Sequence, residues 1–211
     1  TSAIRYFIYP DKVGAEIPRG IRKSYLANED KYDIENPYIK NLVEKVVGDE
    51  KNIYRKARSL YQYLIDNMEY ELAGGWNTAP TVLKRKTGSC SEYTFAYVAL
   101  CRAAGVPARY VGSLVVRGDQ ASYDEVFHRW NEIYLPGYGW VPVDANAGDS
   151  RFPAAQGEGF GGISNRFLIT TEGGGNSEYL DWSYNHMNKW VTEGKCEVRF
   201  FTAAEWEPLE E

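Results

Sequence analysis

Between Asn52 and Met68, apolar side chains fall at Ile53, Ala57, Leu60, Tyr61, Leu64, Ile65 and Met68, the i, i+3, i+4, i+7 recurrence that lays one apolar stripe along a helix. A shorter helical segment is expected over Pro80–Lys86. The next helix carries stop and start signals of its own. Ser89-Cys90-Ser91-Glu92 fits a capping box, with Ser89 as N-cap and Glu92 at the third helical position, so Cys90 becomes the first helical residue. Gly105 and Pro107 then end the helix at Ala104. Its middle, Tyr93 to Cys101, is apolar almost all round, the pattern of a helix buried within a core.

Downstream the period changes. Strand-like runs follow at Arg109–Val116, His128–Leu135, Gly139–Asp144, Asn165–Thr170 and Glu197–Phe201. Helices that precede strands predict an α+β domain, an antiparallel sheet packed on helices grouped at one side. Gly148–Ser164 carries Gly and Pro but little periodicity and reads as a long loop. Ile4–Tyr9 has strand composition and Pro10–Arg19 reads as a linker. Residues 1–20 are therefore expected to be an N-terminal strand and linker, such as would close an upstream domain, and residues 21–211 a single domain.

Composition narrows the function classes. Lys and Arg total 24 against 29 Asp and Glu, a net charge of −5, so the basic face of a nucleic-acid binder is not expected. No run approaches the roughly 20 apolar residues of a membrane span. Three cysteines, Cys90, Cys101 and Cys196, form no CxxC pair and no disulfide framework. A zinc site would have to draw on Cys90, His128 and Asp144, which lack clustered ligand spacing, so neither metal nor cofactor is expected. The glycine runs from Gly157 and from Gly173 carry no phosphate-loop lysine. The missing initiator Met and the expected upstream domain lean toward an exported protein, periplasmic or extracellular, although unpaired cysteines fit the cytoplasm equally well.

A thiol at a helix N-terminus meets backbone N–H groups and the positive end of the helix dipole, which favour thiolate. Cys90 has that position. Its candidate bases are His128, in a strand pattern, and His186, in a stretch without assignable structure that reads as structural or surface. An orienting carboxylate could come from Asp144, but only in one hairpin register. With Leu135 opposite Gly139, Asp144 lies across from Trp130 and becomes a diagonal neighbour of His128 on the same sheet face. A tight four-residue loop closing Leu135 on Trp140 would send the two to opposite faces. Trp130, Tyr134 and Trp140 share that face and are expected to point inward against the buried helix, while Cys101 reads as a small core hydrophobe.

Four segments in order, Gly88-Ser89-Cys90-Ser91-Glu92-Tyr93, Ala104-Gly105-Val106-Pro107-Ala108-Arg109-Tyr110-Val111-Gly112, His128-Arg129-Trp130-Asn131-Glu132-Ile133-Tyr134-Leu135 and Gly139-Trp140-Val141-Pro142-Val143-Asp144, resemble the catalytic core of the transglutaminase-like superfamily. The resemblance implies a papain-like α+β fold and a Cys, His, Asp triad carried onto Cys90, His128 and Asp144. It implies a thioester-forming hydrolase of the protease or amidase kind, or a transamidase, acting on peptide or protein amides. The backbone N–H of Cys90 would serve the oxyanion. In animal members a tryptophan upstream of the nucleophile also does so, a role that would fall on Trp76. Tyr93 and Trp130 are candidate cleft residues. The calcium sites of animal crosslinking members have no counterpart in the sequence, which favours hydrolysis. Two rivals stay open: acyl transfer of the arylamine acetyltransferase type, which Lys86-Thr87-Gly88-Ser89-Cys90-Ser91-Glu92 faintly resembles, and a non-catalytic binding or scaffolding module on the same fold.

Overall fold

The computed structural model describes residues 3–72, 75–173, 180, 182–183 and 190–209. Its helices are α1 (Arg19–Tyr25), α2 (Pro37–Val47), α3 (Ile53–Asn67), α4 (Ala79–Arg85), α5 (Cys90–Ala103), α6 (Ala145–Gly148) and α7 (Pro153–Glu158). The strands are β1 (Ala3–Arg5), β2 (Glu69–Tyr70), β3 (Thr87–Gly88), β4 (Ala108–Val115), β5 (Ser122–Asp124), β6 (His128–Leu135), β7 (Gly139–Val143), β8 (Gly162–Ser164), β9 (Phe167–Gly173) and β10 (Ala204–Trp206). The domain is α+β, as the order of periodicities predicts.

Helix α5 is the centre of the molecule. Every residue from Cys90 to Arg102 is buried, with α2, α3 and α4 against it on one side and β4 and β6 on the other. α3 lays Ala57, Leu60, Tyr61 and Leu64 into this core and is started by Asn52, whose side chain accepts from the Arg55 N–H at 3.1 Å. Across the seam the Tyr97 hydroxyl donates to the Ala57 carbonyl at 3.0 Å, which satisfies a polar group that burial would otherwise penalise. Gly105, at φ +78°, and Pro107 close α5 where expected.

The main sheet is antiparallel with order β7-β6-β4-β9. Leu135 pairs with Gly139 and Asn131 with Val143, the register that puts Asp144 and His128 on one face. Gly137 and Gly139 adopt φ +92° and +81° in the connecting turn, values that suit residues without a Cβ.

Several expectations need correction. The face of β6 that meets α5 carries Arg129, Asn131, Ile133 and Leu135. The Asn131 side-chain amide donates to the Thr94 carbonyl of α5 at 3.0 Å. Trp130, Tyr134 and Trp140 lie on the opposite face, where Trp140 packs against Tyr25, Tyr134 and the Arg109 guanidinium. The alternation is the expected one and its direction is the reverse, because the inward row includes two polar residues, Arg129 and Asn131. Gly148–Ser164 is no open loop: it contains α7 and β8, elements too short to show a period. Glu197–Phe201 is exposed and unpaired, and the late strand is Ala204–Trp206, held by Ser122–Asp124.

Two helices, α1 and α2, are additions. α2 begins at Asn36-Pro37, a dipeptide that also marks turns, yet here the Asn36 side chain caps the Tyr38 N–H at 3.0 Å and Ile39 and Leu42 enter the core. The N-terminal strand is shorter than expected. It pairs with β8, so that Ala3 lies opposite Ser164. The following segment is tied down by Gly14 donating to the Pro136 carbonyl at 3.0 Å and Asn52 to the Pro10 carbonyl at 2.9 Å. His186 lies outside the described residues.

Candidate active site

The first turn of α5 is fixed by a buried carboxylate. Glu92 is fully buried. It accepts from the Ser89 N–H at 3.3 Å, completing the capping box, and also from the Asn77 N–H at 3.1 Å, the Asn77 amide at 2.8 Å and the Arg85 guanidinium at 2.7 Å. Each oxygen therefore has partners, the condition for burying a charge without a large penalty. A Cβ on Gly88 would come within 2.9 Å of the Glu92 Cβ, so the chain entering the helix passes closely over this anchor. β2 runs parallel to β3, with Tyr70 opposite Gly88. This places Tyr70 near enough for the Cys90 charge to raise its phenol above the ordinary value, after the larger effect of burial.

His128 opens β6 in the row of Trp130, at the strand end where the imidazole meets Cys90 at the start of α5, behind Phe127, whose φ of +57° turns the chain into the strand. Asp124 holds that approach: its carboxylate accepts from the Val115 N–H at 3.0 Å and from the Arg117 guanidinium at 2.9 Å. The imidazole packs on Phe167 and Trp130 at ring separations of 5.4 and 6.1 Å. Its Nε2 meets Asp144 Oδ2 at 2.6 Å, which leaves Nδ1 for the thiol. Asp144 in turn ends β7 and starts α6, with Oδ1 accepting from the Ala147 N–H at 2.9 Å. One carboxylate thus caps a helix and orients the imidazole.

The electrostatics follow from this geometry. Burial opposes ionisation of Cys90, but the hydrogen bond and charge of His128, helped by the Arg129 guanidinium, outweigh it and bring the thiol below its ordinary value. Burial likewise opposes protonation of His128. Asp144 overrides that, with Cys90 adding to it, and pushes the imidazole up to about 10. Such a pair is stable as thiolate and imidazolium, a nucleophile beside a proton donor.

The structure brings Cys90, His128 and Asp144 together. It places the two candidate cleft residues differently: Trp130 stacks beside His128, and Tyr93 is buried with its hydroxyl donating to Asp149 at 2.7 Å. Trp76 is 41% exposed. Its ring lies 4.7 Å from the Arg129 guanidinium and its carbonyl accepts from Lys31 at 2.6 Å. Sequence reasoning missed Tyr70, Phe167 and Arg129. Arg129 follows His128 directly and could have been flagged, whereas Tyr70 arrives through a two-residue parallel pairing that leaves no pattern. Beside Asp144, a cavity of about 250 Å³ is walled by Asp144, Phe167, Ile163, Ala155, Arg5 and Glu158, with small residues between them.

Among known sequences, the profile described as the transglutaminase-like superfamily matches residues 40–145. An uncharacterized protein of Haemophilus influenzae is 30% identical over 130 residues, which are 51% of this chain and 35% of that one. Uncharacterized protein YebA of Bacillus subtilis is 30% identical over 130 residues, 52% of this chain and 17% of its own length. The chain thus corresponds to about a third or less of these relatives. Among solved structures, one from Cytophaga hutchinsonii described as a candidate cysteine protease superposes with a TM-score of 0.55 at 21% identity, covering 75% of this chain and 48% of that one, a likeness of fold. The periplasmic domain of TgpA from Pseudomonas aeruginosa gives a TM-score of 0.46 at 24% identity over 62% of this chain and 48% of its own. No helix of the described residues is long and apolar enough to cross a membrane. With half its residues matched by the superfamily profile and the core helix, hairpin and sheet in place, this chain belongs to the transglutaminase-like superfamily.

Proposed function

We propose that the protein is a thiol-dependent hydrolase of the protease or amidase kind, or a transamidase, acting on peptide or protein amides, with residues 21–211 as its catalytic unit. One observation carries the reading: the thiol at the capped start of α5 faces an imidazole whose far nitrogen is held by Asp144 at 2.6 Å. Superfamily membership supports thiol-dependent chemistry in general.

In this reading the Cys90 thiolate attacks the amide carbonyl, and the backbone N–H at the helix start faces the developing oxyanion. His128 gives its proton to the departing amine, and a thioester remains on Cys90. Water or a second amine then attacks the thioester while His128 takes the proton, and sulfur leaves as thiolate. Asp144 fixes the imidazole orientation throughout.

The test is the rate of iodoacetamide alkylation of Cys90 against pH, read by peptide mass spectrometry on wild type and His128→Ala, with exposed Cys196 as the reference in the same molecule. Fast alkylation well below the thiol value of about 8.5 that vanishes in the variant supports the reading. A profile unchanged by the substitution overturns it in favour of a non-catalytic module.

A further inference from the structure

The cavity beside Asp144 sits on a particular side of the triad. Its wall includes Asp144 and Phe167, the ring packed on His128, together with Ala3, Ala155, Ile163 and Gly159. Cys90 is not part of that wall. Along the line from thiol to imidazole to carboxylate, the space therefore opens at the carboxylate end. Its rim carries an ion pair, Arg5 to Glu158 at 2.5 Å, linking β1 to α7, while the rest of the lining is mostly apolar, with Asp144 and Ser164 as its polar members. About 250 Å³ exceeds the roughly 150 Å³ that holds a benzene ring in an engineered protein cavity. The space suits one branched aliphatic or aromatic side chain and is too small for a larger ligand.

Chemistry decides which part of a substrate reaches this end. The leaving amine must take its proton from His128, so its nitrogen lies on the imidazole side of the scissile carbonyl, and the chain attached to it continues past His128 toward Asp144. An extended chain advances about 3.3 to 3.6 Å per residue, so the first or second side chain after the scissile bond arrives at the cavity. The acyl portion lies on the other side, toward β2 and Tyr70. By microscopic reversibility, an amine that attacks the thioester binds where the leaving amine departs.

We propose that the cavity walled by Asp144, Phe167, Ala155 and Ile163 is a specificity pocket that receives an apolar side chain from the amine half of the substrate. The proposal rests on the triad reading above and adds which half of the substrate is selected and by what chemistry. Arg5 and Glu158, paired across the rim, leave no net charge there to favour a charged side chain.

The experiment isolates the amine half. p-Nitrophenyl acetate acylates Cys90, releasing p-nitrophenolate as a burst, and acceptor amines then compete with water for the acetyl group. In the transfer the amine nitrogen bonds the carbonyl carbon, the carbon–sulfur bond breaks, the amine proton passes to His128 and the thiolate is regenerated. Glycinamide is compared with leucinamide, and glycylglycinamide with glycyl-leucinamide, by mass spectrometry of the N-acetyl products. Wild type is expected to favour the leucine member of at least one pair by about tenfold or more, the discrimination an apolar pocket gives for an aliphatic side chain. Ala155→Phe fills the space and is expected to bring that ratio to near one. Ile163→Ala enlarges it and is expected to shift preference from leucinamide toward phenylalaninamide, a second readout independent of how α7 tolerates the first substitution. A normal burst followed by transfer that no amine accelerates, or that glycine and leucine acceptors accelerate alike, overturns the pocket and leaves the triad standing. Absence of a burst in wild type overturns the triad reading, and the pocket with it.

Discussion

Helix α5 carries two thiols in the same buried environment, and they behave in opposite ways. Cys101 is fully buried in its last turn, and burial pushes its pKa far up, with a hydrogen bond to Tyr97 recovering only part. Cys90, 5% exposed in the first turn, feels the same burial and is nevertheless shifted down. The difference lies in what each sulfur faces: the core around Tyr97 in one case, a helix start and a protonated imidazole in the other. Burial by itself makes a thiol inert, and only a placed positive charge reverses it.

Exchanging the two roles gives the largest expected effect. Cys90→Ala should remove the ester burst and lower turnover on the order of 10⁶-fold, the scale found when a triad nucleophile is deleted. Cys101→Ala should leave turnover within about twofold and cost about 1 kcal/mol of stability, as a typical core truncation does. Turnover lost in Cys101→Ala, with its melting transition intact, would break the contrast.

Removing the imidazole tests the source of the reversal. In His128→Ala only the weaker pull of the Arg129 guanidinium and the helix start opposes burial at Cys90, so its pKa should rise above the ordinary thiol value. At pH 7 only a few per cent or less would then be thiolate, and alkylation should slow by about 30-fold, approaching the inertness of Cys101. Mass-spectrometric alkylation rates on both peptides read this directly.

Asp144→Asn acts one step further out. The wild-type imidazolium persists up to about 10 because Asp144 favours the charged ring against burial. The pair is therefore complete above the lowered Cys90 value and lost as pH rises through about 10. Neutralising the carboxylate should move this alkaline limit down by a unit or more toward the ordinary histidine value near 6.5. A raised folded-state pKa also contributes stability that is fully present below the unfolded value and disappears as pH rises through the folded one. The wild type should accordingly lose its stability advantage over Asp144→Asn between about pH 6.5 and 10. Asn can still accept from the Ala147 N–H, so α6 keeps its cap, while the amide nitrogen then facing the imidazole removes both the charge and the acceptor. An alkaline limit that stays in place would assign the raised imidazole to something other than Asp144.

How much of this was legible in the sequence depended on whether the signal was local. The bounds of α5 are written in Ser89, Glu92, Gly105 and Pro107, all within a turn of the ends they set. The meeting of His128 with Asp144 followed from strand alternation and a glycine-closed hairpin, which fix a register without knowledge of the rest of the fold. Which face of that hairpin turns inward was not legible. Arg129 and Asn131 are polar, yet they are buried because the Trp182 and Thr94 carbonyls accept from them at 2.5 and 3.0 Å, partners 53 and 37 residues away in the chain. The two-residue strand carrying Tyr70 and the six-residue α7 are too short for any period, and the cavity beside Asp144 is assembled from exactly such pieces. The candidate site was thus readable as a set of residues, and the wall around it was not.

The smallest expected effect separates the two causes that meet at Cys90. Ser89 caps the helix, and Ser89→Ala should cost about 1 kcal/mol, a fall of about 2 to 4 °C in melting temperature for a chain of this size. Glu92 still binds the Arg85 guanidinium and the Asn77 amide in that variant, so the first turn keeps its place and Cys90 still faces His128. If the imidazole is the dominant source of the lowered thiol, alkylation of Cys90 at pH 7 should change by less than about threefold. The bare helix dipole near a terminus is worth only about 0.3 to 1 kcal/mol, too little to offset burial alone. A loss as large as that in His128→Ala would move the origin of the reactive thiol from the imidazole to the capped helix start, and the contrast with Cys101 would then be one of position along α5 rather than of partner.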